Sequence, residues 1–408
     1  MKIPILTSAV FVVCLLSCHE DTATKTGFVV KVDASDFVEM SVANVVNHYY
    51  IIISDERGIP LSTTEIKPGE KYQISPRHPY TGKTFMLTEL SVTESDIGML
   101  FLKQSTYVEM EVNPLIPWRF EHPSTTNVRY VDLKFPTLPA GSTGIVSTNY
   151  SSATILTGSI TANTLEVHGA ATNLFATLTD NTTGDIRYRY FTNEGAGYTG
   201  NRADVDLTQV NLPMTTKPIS FPLNSSRASV SVKGIVKNGA TSGRYLVMVT
   251  DKPVIPDLPL FFDDYAYEVN FTREGYEYTN ISFTTPDMEP LAMTLSSRAR
   301  NASSVTYTTT GSYDYGQFLF TQSWEYGYGN WYVYAPPASQ EKTITLPLMP
   351  VSLVEKWQRI DRSGYALNSF VAADFGIVND YPGFLAARNT QGLTSSNSRS
   401  VRKLSSSF

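Results

Sequence analysis

Runs of alternating apolar and polar residues recur along the chain, and few stretches have the composition of a helix. The segment from Tyr107 to Val112 is one such run. A period of two places every second side chain on the same face of a β-strand. The 24 tyrosines, the 20 phenylalanines and the abundant threonine, serine and valine residues also favour strands. These features predict an all-β fold.

Turn sequences divide the chain into short strands. Residues 55–58 and 67–70 combine glycine or proline with charged residues, which favours tight turns. Strands bounded in this way are typical of β-sandwiches of immunoglobulin-like or transthyretin-like type. We predict three or four such modules in tandem. The predicted boundaries are a β-sandwich at 27–124, a second at 125–215, a β module at 216–289 and an aromatic-rich β module at 290–388.

Two further elements are predicted near the C-terminus. The spacing of Leu353, Val354, Trp357 and Ile360 indicates a short helix in the last module. Residues 389–408 are rich in serine, asparagine and arginine, and we predict that they form a disordered tail.

The N-terminus has the layout of an export signal. Lys2 precedes an apolar run that ends at Leu16, a run too short to span a bilayer as a helix. Residues 15–18 read Leu-Leu-Ser-Cys, which resembles the lipobox of bacterial lipoproteins. The resemblance implies a signal peptide at 1–17, a lipid on Cys18 and a tether at 18–26. Attachment by two or more acyl chains is stable where one chain is marginal.

The residues around Cys18 extend this resemblance. Cys18 is followed by His19, Glu20 and Asp21, which resembles the surface-export signal of lipoproteins in Bacteroidetes. The other cysteine, Cys14, would leave with the signal peptide, so the mature chain would carry no free thiol. The chain therefore resembles the multi-domain surface lipoproteins of that phylum, which implies an outer-membrane, surface-exposed location.

Motifs for catalysis or metal binding are absent from the sequence. The five histidines are far apart, and no His-Glu-x-x-His motif, Gly-x-Ser-x-Gly elbow or phosphate-binding loop is present. The remaining acid–base candidates are Asp263, Asp264 and Glu325, whose separation in space the sequence does not supply. We expect no enzymatic activity, no cofactor and no metal. The net charge of −6 argues against nucleic acid as a partner.

Aromatic residues are concentrated between Tyr307 and Tyr334, with glycines between them. We predict that residues 324–331 form an exposed hairpin loop whose rings stack on sugars or contact a protein. The alternative is that part of this segment lies in the core. The predicted ligand-binding residues are Trp324, Glu325, Tyr326, Tyr328, Asn330 and Trp331.

Three hypotheses about function follow. The first is a non-catalytic surface lipoprotein that binds a polysaccharide or a protein, with glycans as the candidate ligands. The second is a fimbrial or pilus-associated anchor lipoprotein, which an exposed strand edge would support. The third is an enzyme whose site assembles only in three dimensions. In each case the lipid on Cys18 makes the membrane a partner.

Overall fold

The computed structural model describes residues 27–35, 37, 44–120, 128–134, 140–155, 163–168, 173–192, 202–237, 243–257, 262–283, 285–301, 304–391 and 400–408. The predicted signal peptide, Cys18 and the tether up to residue 26 lie outside the described residues. In the part that is described, no helix is long and apolar enough to cross a membrane.

The described chain consists mainly of β-strands, which confirms the predicted all-β fold class. In its first half the strands are β1 Val29–Asp33, β2 Val45–Ser54, β3 Pro60–Glu65, β4 Lys71–Ile74, β5 Thr84–Ser95, β6 Leu100–Glu111, β7 Leu115–Arg119, β8 Val128–Lys134, β9 Ser142–Ser147, β10 Ser152–Ile155, β11 Asn163–His168, β12 Leu174–Asp180, β13 Ile186–Phe191 and β14 Arg202–Asp204. In its second half they are β15 Leu212–Pro218, β16 Ser226–Val236, β17 Gly243–Thr250, β18 Val254–Asp257, β19 Asp264–Arg273, β20 Tyr276–Ser282, β21 Met293–Asn301, β22 Ser304–Gly311, β23 Tyr315–Trp324, β24 Gly327–Ala335, β25 Lys342–Thr345, β26 Ala366–Phe375 and β27 Ser400–Ser407.

Helical elements in the described chain are short. The α-helices are α1 Val351–Lys356 and α2 Tyr381–Gln391, and the 3-10 helices are Leu207–Gln209, Gln358–Ile360 and Arg362–Gly364. The helix predicted from the spacing of apolar residues is confirmed by α1 and the 3-10 turn after it. Its apolar residues Leu353, Trp357 and Ile360 are buried. Helix α2 is an element that the sequence pattern did not indicate.

One sheet of twelve strands, which we call the large sheet, organises the molecule. Its strand order is β17-β16-β19-β20-β27-β26-β23-β24-β6-β5-β2-β3. Strands β6 and β24 lie side by side in parallel, with Tyr107 opposite Tyr334. The large sheet takes strands from both sides of the boundaries predicted at residues 124 and 289, because pairing between distant strands leaves no trace in a local sequence pattern.

Two hydrophobic cores lie on opposite faces of the large sheet. Core 1 packs one face against the sheet β10-β9-β12-β13-β15-β18 and the sheet β21-β22-β25, and it contains Phe318, Phe320 and Trp331. Core 2 packs part of the other face against α2 and the sheet β4-β1-β7, and it contains Tyr107 and Trp118. This stacking of sheets is consistent with β-sandwich modules.

Core 3 lies behind the six-stranded sheet, against the sheet β11-β8-β14. Strand β12 shows how the two faces of the six-stranded sheet pack against two different cores. Its residues Leu174, Ala176 and Leu178 face core 3, whereas Phe175 faces core 1. The alternation of side chains along a strand thus buries both faces of this sheet.

The predicted disordered tail is wrong for its last residues. Strand β27 lies inside the large sheet, between β20 and β26, and it pairs with both in antiparallel register. Its apolar residues Val401 and Leu404 enter core 2 and core 1 respectively. Serine-rich composition concealed this strand, because strand pairing uses the backbone and needs only these two apolar side chains to bury it.

Candidate functional site

The predicted aromatic loop is a tight hairpin between β23 and β24. Trp324 pairs with Gly327, so that only Glu325 and Tyr326 form the turn. A side chain at Gly327 would overlap the carbonyl oxygen of Leu100. Glycine at this position therefore lets the hairpin approach β6 closely, and the backbone of Leu100 donates a hydrogen bond to the Tyr326 carbonyl oxygen at 3.0 Å.

Trp331 is not exposed, contrary to the prediction. Its side chain is fully buried in core 1, and its indole Nε1 donates to the hydroxyl of Thr106 at 2.9 Å. Its ring packs edge-on against Tyr365, with centroids 5.4 Å apart. Because residues alternate along β24, Trp331 lies on the opposite face from Tyr328 and Asn330. The other interpretation, that part of the aromatic segment is core, holds for Trp331, Phe318 and Phe320.

The remaining residues of the hairpin end differ in exposure. Trp324 is half-buried and lies 5.9 Å from the Arg359 guanidinium, which stacks over its ring. Tyr326 is 57% exposed, and a hydrogen bond with Glu325 raises the pKa of its hydroxyl. The hairpin end thus presents one free ring, that of Tyr326, rather than two tryptophans.

The residues that point away from core 1 at this end of the large sheet form one continuous surface. We call it the open face. Register places its residues in rows across β5, β6, β24 and β23. The rows are Thr93, Phe101, Tyr328 and Ser323, then Ser91, Lys103, Asn330 and Thr321, and finally Ser105 and Tyr332.

Aromatic rings occupy the first and third rows of the open face. Tyr328 is 49% exposed and meets Phe101 edge-on, with centroids 5.1 Å apart and an interplanar angle of 63°. Since the two rings are not coplanar, Phe101 supports the Tyr328 ring rather than extending it into a platform. Tyr332 is half-buried, and burial raises the pKa of its hydroxyl.

A cluster of buried polar side chains borders the open face where this face of the large sheet continues into core 2. Arg388 of α2 donates to Glu89 at 2.8 Å and to the Tyr107 hydroxyl at 2.8 Å. Trp118 also donates to Glu89, at 2.9 Å, and the Arg388 guanidinium lies 4.0 Å from the Trp118 ring centroid. With its charge paired and its hydrogen bonds made, this cluster forms a rigid wall next to Ser105 and Tyr332.

The acid–base candidates lie in two separate places: Asp263 and Asp264 at the start of β19, and Glu325 in the turn between β23 and β24. Among the described residues no group of three histidine, cysteine, aspartate or glutamate side chains could hold a metal ion. Two of these carboxylates are engaged by the same lysine: Asp263 accepts a hydrogen bond from the Lys237 backbone at 2.7 Å, and Asp264 pairs with the Lys237 ammonium at 3.3 Å. Glu325 lies in the exposed hairpin turn.

Of the predicted ligand-binding residues, the structure brings Tyr328 and Asn330 together on the open face. It places Trp324, Glu325 and Tyr326 at the adjoining hairpin end and Trp331 in the core. Phe101 and Lys103 were not predicted as site residues, because the parallel pairing of β6 with β24 joins residues more than two hundred positions apart. The alternation in β6 was the available indication that these two side chains share a face.

Comparison with known proteins identifies no relative. No family model and no curated protein match the chain. Two solved structures that it resembles are a tetra-tandem repeat from the extending region of a large adhesion protein, at 10% identity over 86% of this chain and 95% of that one, and a Ca²⁺-stabilised ice-binding adhesin of an Antarctic bacterium, at 11% identity over 85% and 94%. Both have a TM-score of 0.13, which is too low to support any statement about this chain.

Proposed function

We propose that this chain is a lipid-anchored protein of the outer membrane, exposed at the cell surface, that binds glycans without catalysis. The lipobox-like residues ending at Cys18 support the anchor. The open face supports the binding, because it presents a partly exposed aromatic ring beside lysine, asparagine and small hydroxyl side chains on a rigid sheet.

The pairing of Tyr328 with Phe101 carries the proposal. Apolar faces of sugar rings stack on aromatic rings, while amide and hydroxyl groups bind the sugar hydroxyls. Tyr328 offers such a ring, and its edge-on contact with Phe101 restricts the ring's motion before a ligand arrives. Asn330, two residues along β24, supplies both a donor and an acceptor.

A binding experiment with the full chain tests the proposal. We expect Tyr328→Ala to weaken binding to a polysaccharide from a panel of neutral and charged glycans by about two- to tenfold, since stacking of one ring contributes about 0.5 to 1.5 kcal/mol. Tyr150→Ala is the matched control, because Tyr150 is 55% exposed in the turn between β9 and β10. Equal losses in the two variants, or no binding to any glycan of the panel, would rule out this use of the open face.

A second candidate function is a fimbrial or pilus-associated anchor. Strand β3 is an edge of the large sheet, and an edge strand can accept a strand from another chain. Part of this edge is occupied, since Arg77 donates a backbone hydrogen bond to Leu61 at 3.1 Å. If β3 receives a donor strand, Thr63→Pro should abolish assembly into detergent-resistant multimers, whereas Thr63→Val should preserve it. A chain that stays monomeric on the cell surface would exclude this candidate.

A further inference from the structure

We propose that the open face selects glycans bearing negatively charged groups, carboxylate or sulfate, and that Lys103 is the residue that recognises them. The inference rests on the proposed glycan binding and deepens it.

Lys103 lies exposed in the middle row of the open face, between neutral neighbours. Ser91 is opposite it on β5 and Asn330 is beside it on β24. Lysine on a sheet commonly pairs with an acidic residue on the adjacent strand. Within the described residues Lys103 forms no ion pair, so its charge is available to a ligand.

The carboxylate nearest in register does not neutralise Lys103. Glu89 lies one row away, on the same face of β5, opposite Ser105. Its side chain is only 15% exposed, and it accepts hydrogen bonds from Arg388 and Trp118. Because Arg388 already pairs with this carboxylate, Glu89 does not neutralise Lys103.

The rings on either side of Lys103 set the direction in which a glycan would lie. Alternate residues on a strand are roughly 6.7 Å apart, so Tyr328 and Tyr332 are separated by roughly 13 Å along β24. A sugar chain laid along β24 would stack on Tyr328, cross the row of Lys103 and Asn330 and end at the exposed edge of Tyr332. An acidic substituent on the middle sugar would form an ion pair with the Lys103 ammonium. It would also accept a hydrogen bond from the side-chain amide of Asn330.

The ammonium group does not distinguish the two sources of negative charge. It is a compact point charge on a flexible stem, without the planar fork that favours carboxylate geometry in arginine. The inference therefore includes both uronate and sulfated glycans, and the experiment separates them.

The test measures the affinity of the full chain for polygalacturonate and for its fully methyl-esterified, uncharged form, and for dextran sulfate and dextran. Three variants are compared: Lys103→Gln, Tyr328→Ala and, as the control, Lys31→Gln, since Lys31 is exposed on β1 in a different sheet. We expect Lys103→Gln to weaken binding to at least one charged polymer by roughly three- to tenfold, and to weaken any binding to its neutral counterpart by clearly less. Added salt should produce the same loss in the unmodified chain.

The outcomes distinguish the inference from the function on which it rests. A loss towards polygalacturonate alone identifies carboxylate as the charged group, and a loss towards dextran sulfate alone identifies sulfate. If Tyr328→Ala abolishes binding while Lys103→Gln and Lys31→Gln do not affect it, glycan binding stands and charge recognition by Lys103 is refuted. If no polymer binds, or if Lys31→Gln weakens binding as much as Lys103→Gln does, the inference is also refuted.

Discussion

At the scale of single residues, the alternation along β24 separates the open face from core 1. Trp331 and Val333 enter core 1, whereas Tyr328, Asn330 and Tyr332 point the other way. Two aromatic residues only three positions apart therefore have unrelated roles. The sequence shows that the rings are close together in the chain, but the side on which each one lies depends on the register of the hairpin.

Trp331 provides the first prediction at this scale. We expect Trp331→Ala to lower the free energy of unfolding by about 3 to 5 kcal/mol, because it opens a cavity in core 1 and removes the hydrogen bond to Thr106. Trp331→Phe keeps most of the ring and should cost about 1 to 2 kcal/mol. Urea denaturation measures both values. The control Tyr328→Ala changes an exposed ring and should alter stability by less than about 0.5 kcal/mol; a similar loss in both alanine variants would contradict the burial of Trp331.

Asp314 provides a second prediction, on pH dependence. Burial raises the pKa of its carboxyl group to about 7, although one of its oxygens accepts a hydrogen bond from the Phe375 backbone at 2.6 Å. The folded state thus favours the neutral acid, whereas the unfolded chain ionises near pH 4. The contribution of the neutral Asp314 carboxyl group to the free energy of unfolding is complete below pH 4. It declines as the pH rises to about 7, by up to about 4 kcal/mol.

Asp314→Asn should remove this decline while keeping an acceptor for Phe375. Denaturation between pH 4 and pH 8 measures the effect, and Asp185→Asn, at an exposed aspartate, is the control. A variant that retains the same slope as the unmodified chain would show that another group is responsible.

At the scale of elements, β27 shows what composition alone conceals. Its eight residues include four serines, yet the strand lies in the interior of the large sheet, with neighbours on both sides. Local patterns were sufficient to predict α1 and strands such as β6, whose alternation is regular. They were insufficient for β27 and for α2, because burial there depends on distant partners, such as the Tyr107 hydroxyl and Glu89 that bind Arg388 of α2.

The position of β27 leads to a prediction about stability. Leu404 is fully buried in core 1, so Leu404→Ala should lower the free energy of unfolding by about 2 to 5 kcal/mol. Ser407→Ala, at the exposed end of the same strand, should have almost no effect. A thermal denaturation series compares the two. If Leu404→Ala also has no effect, the terminal residues do not contribute to the sheet in solution.

At the scale of the whole molecule, the predicted anchor would tether the described β-structure to the membrane. Cys18 lies outside the described residues, so its modification stays a prediction from the sequence. We expect Cys18→Ala to move the protein from the membrane fraction to the soluble fraction and to remove the mass of the acyl groups. Cys14→Ala is the matched control, since that cysteine lies within the predicted signal peptide. Membrane attachment that persists in Cys18→Ala would refute the lipid anchor.

The parallel pair of β6 and β24 has a consequence for the order in which this chain can fold. Strand β6 cannot form all its backbone hydrogen bonds until β24 is available. The residues from Leu100 to Tyr107 pair in parallel with those from Gly327 to Tyr334. Contacts between such distant segments make folding slow, since a large chain entropy is lost before they form. A chain that emerges N-terminus first therefore leaves one edge of β6 unpaired until β24 has emerged. During that interval the unpaired edge of β6 favours association with other chains, and therefore aggregation.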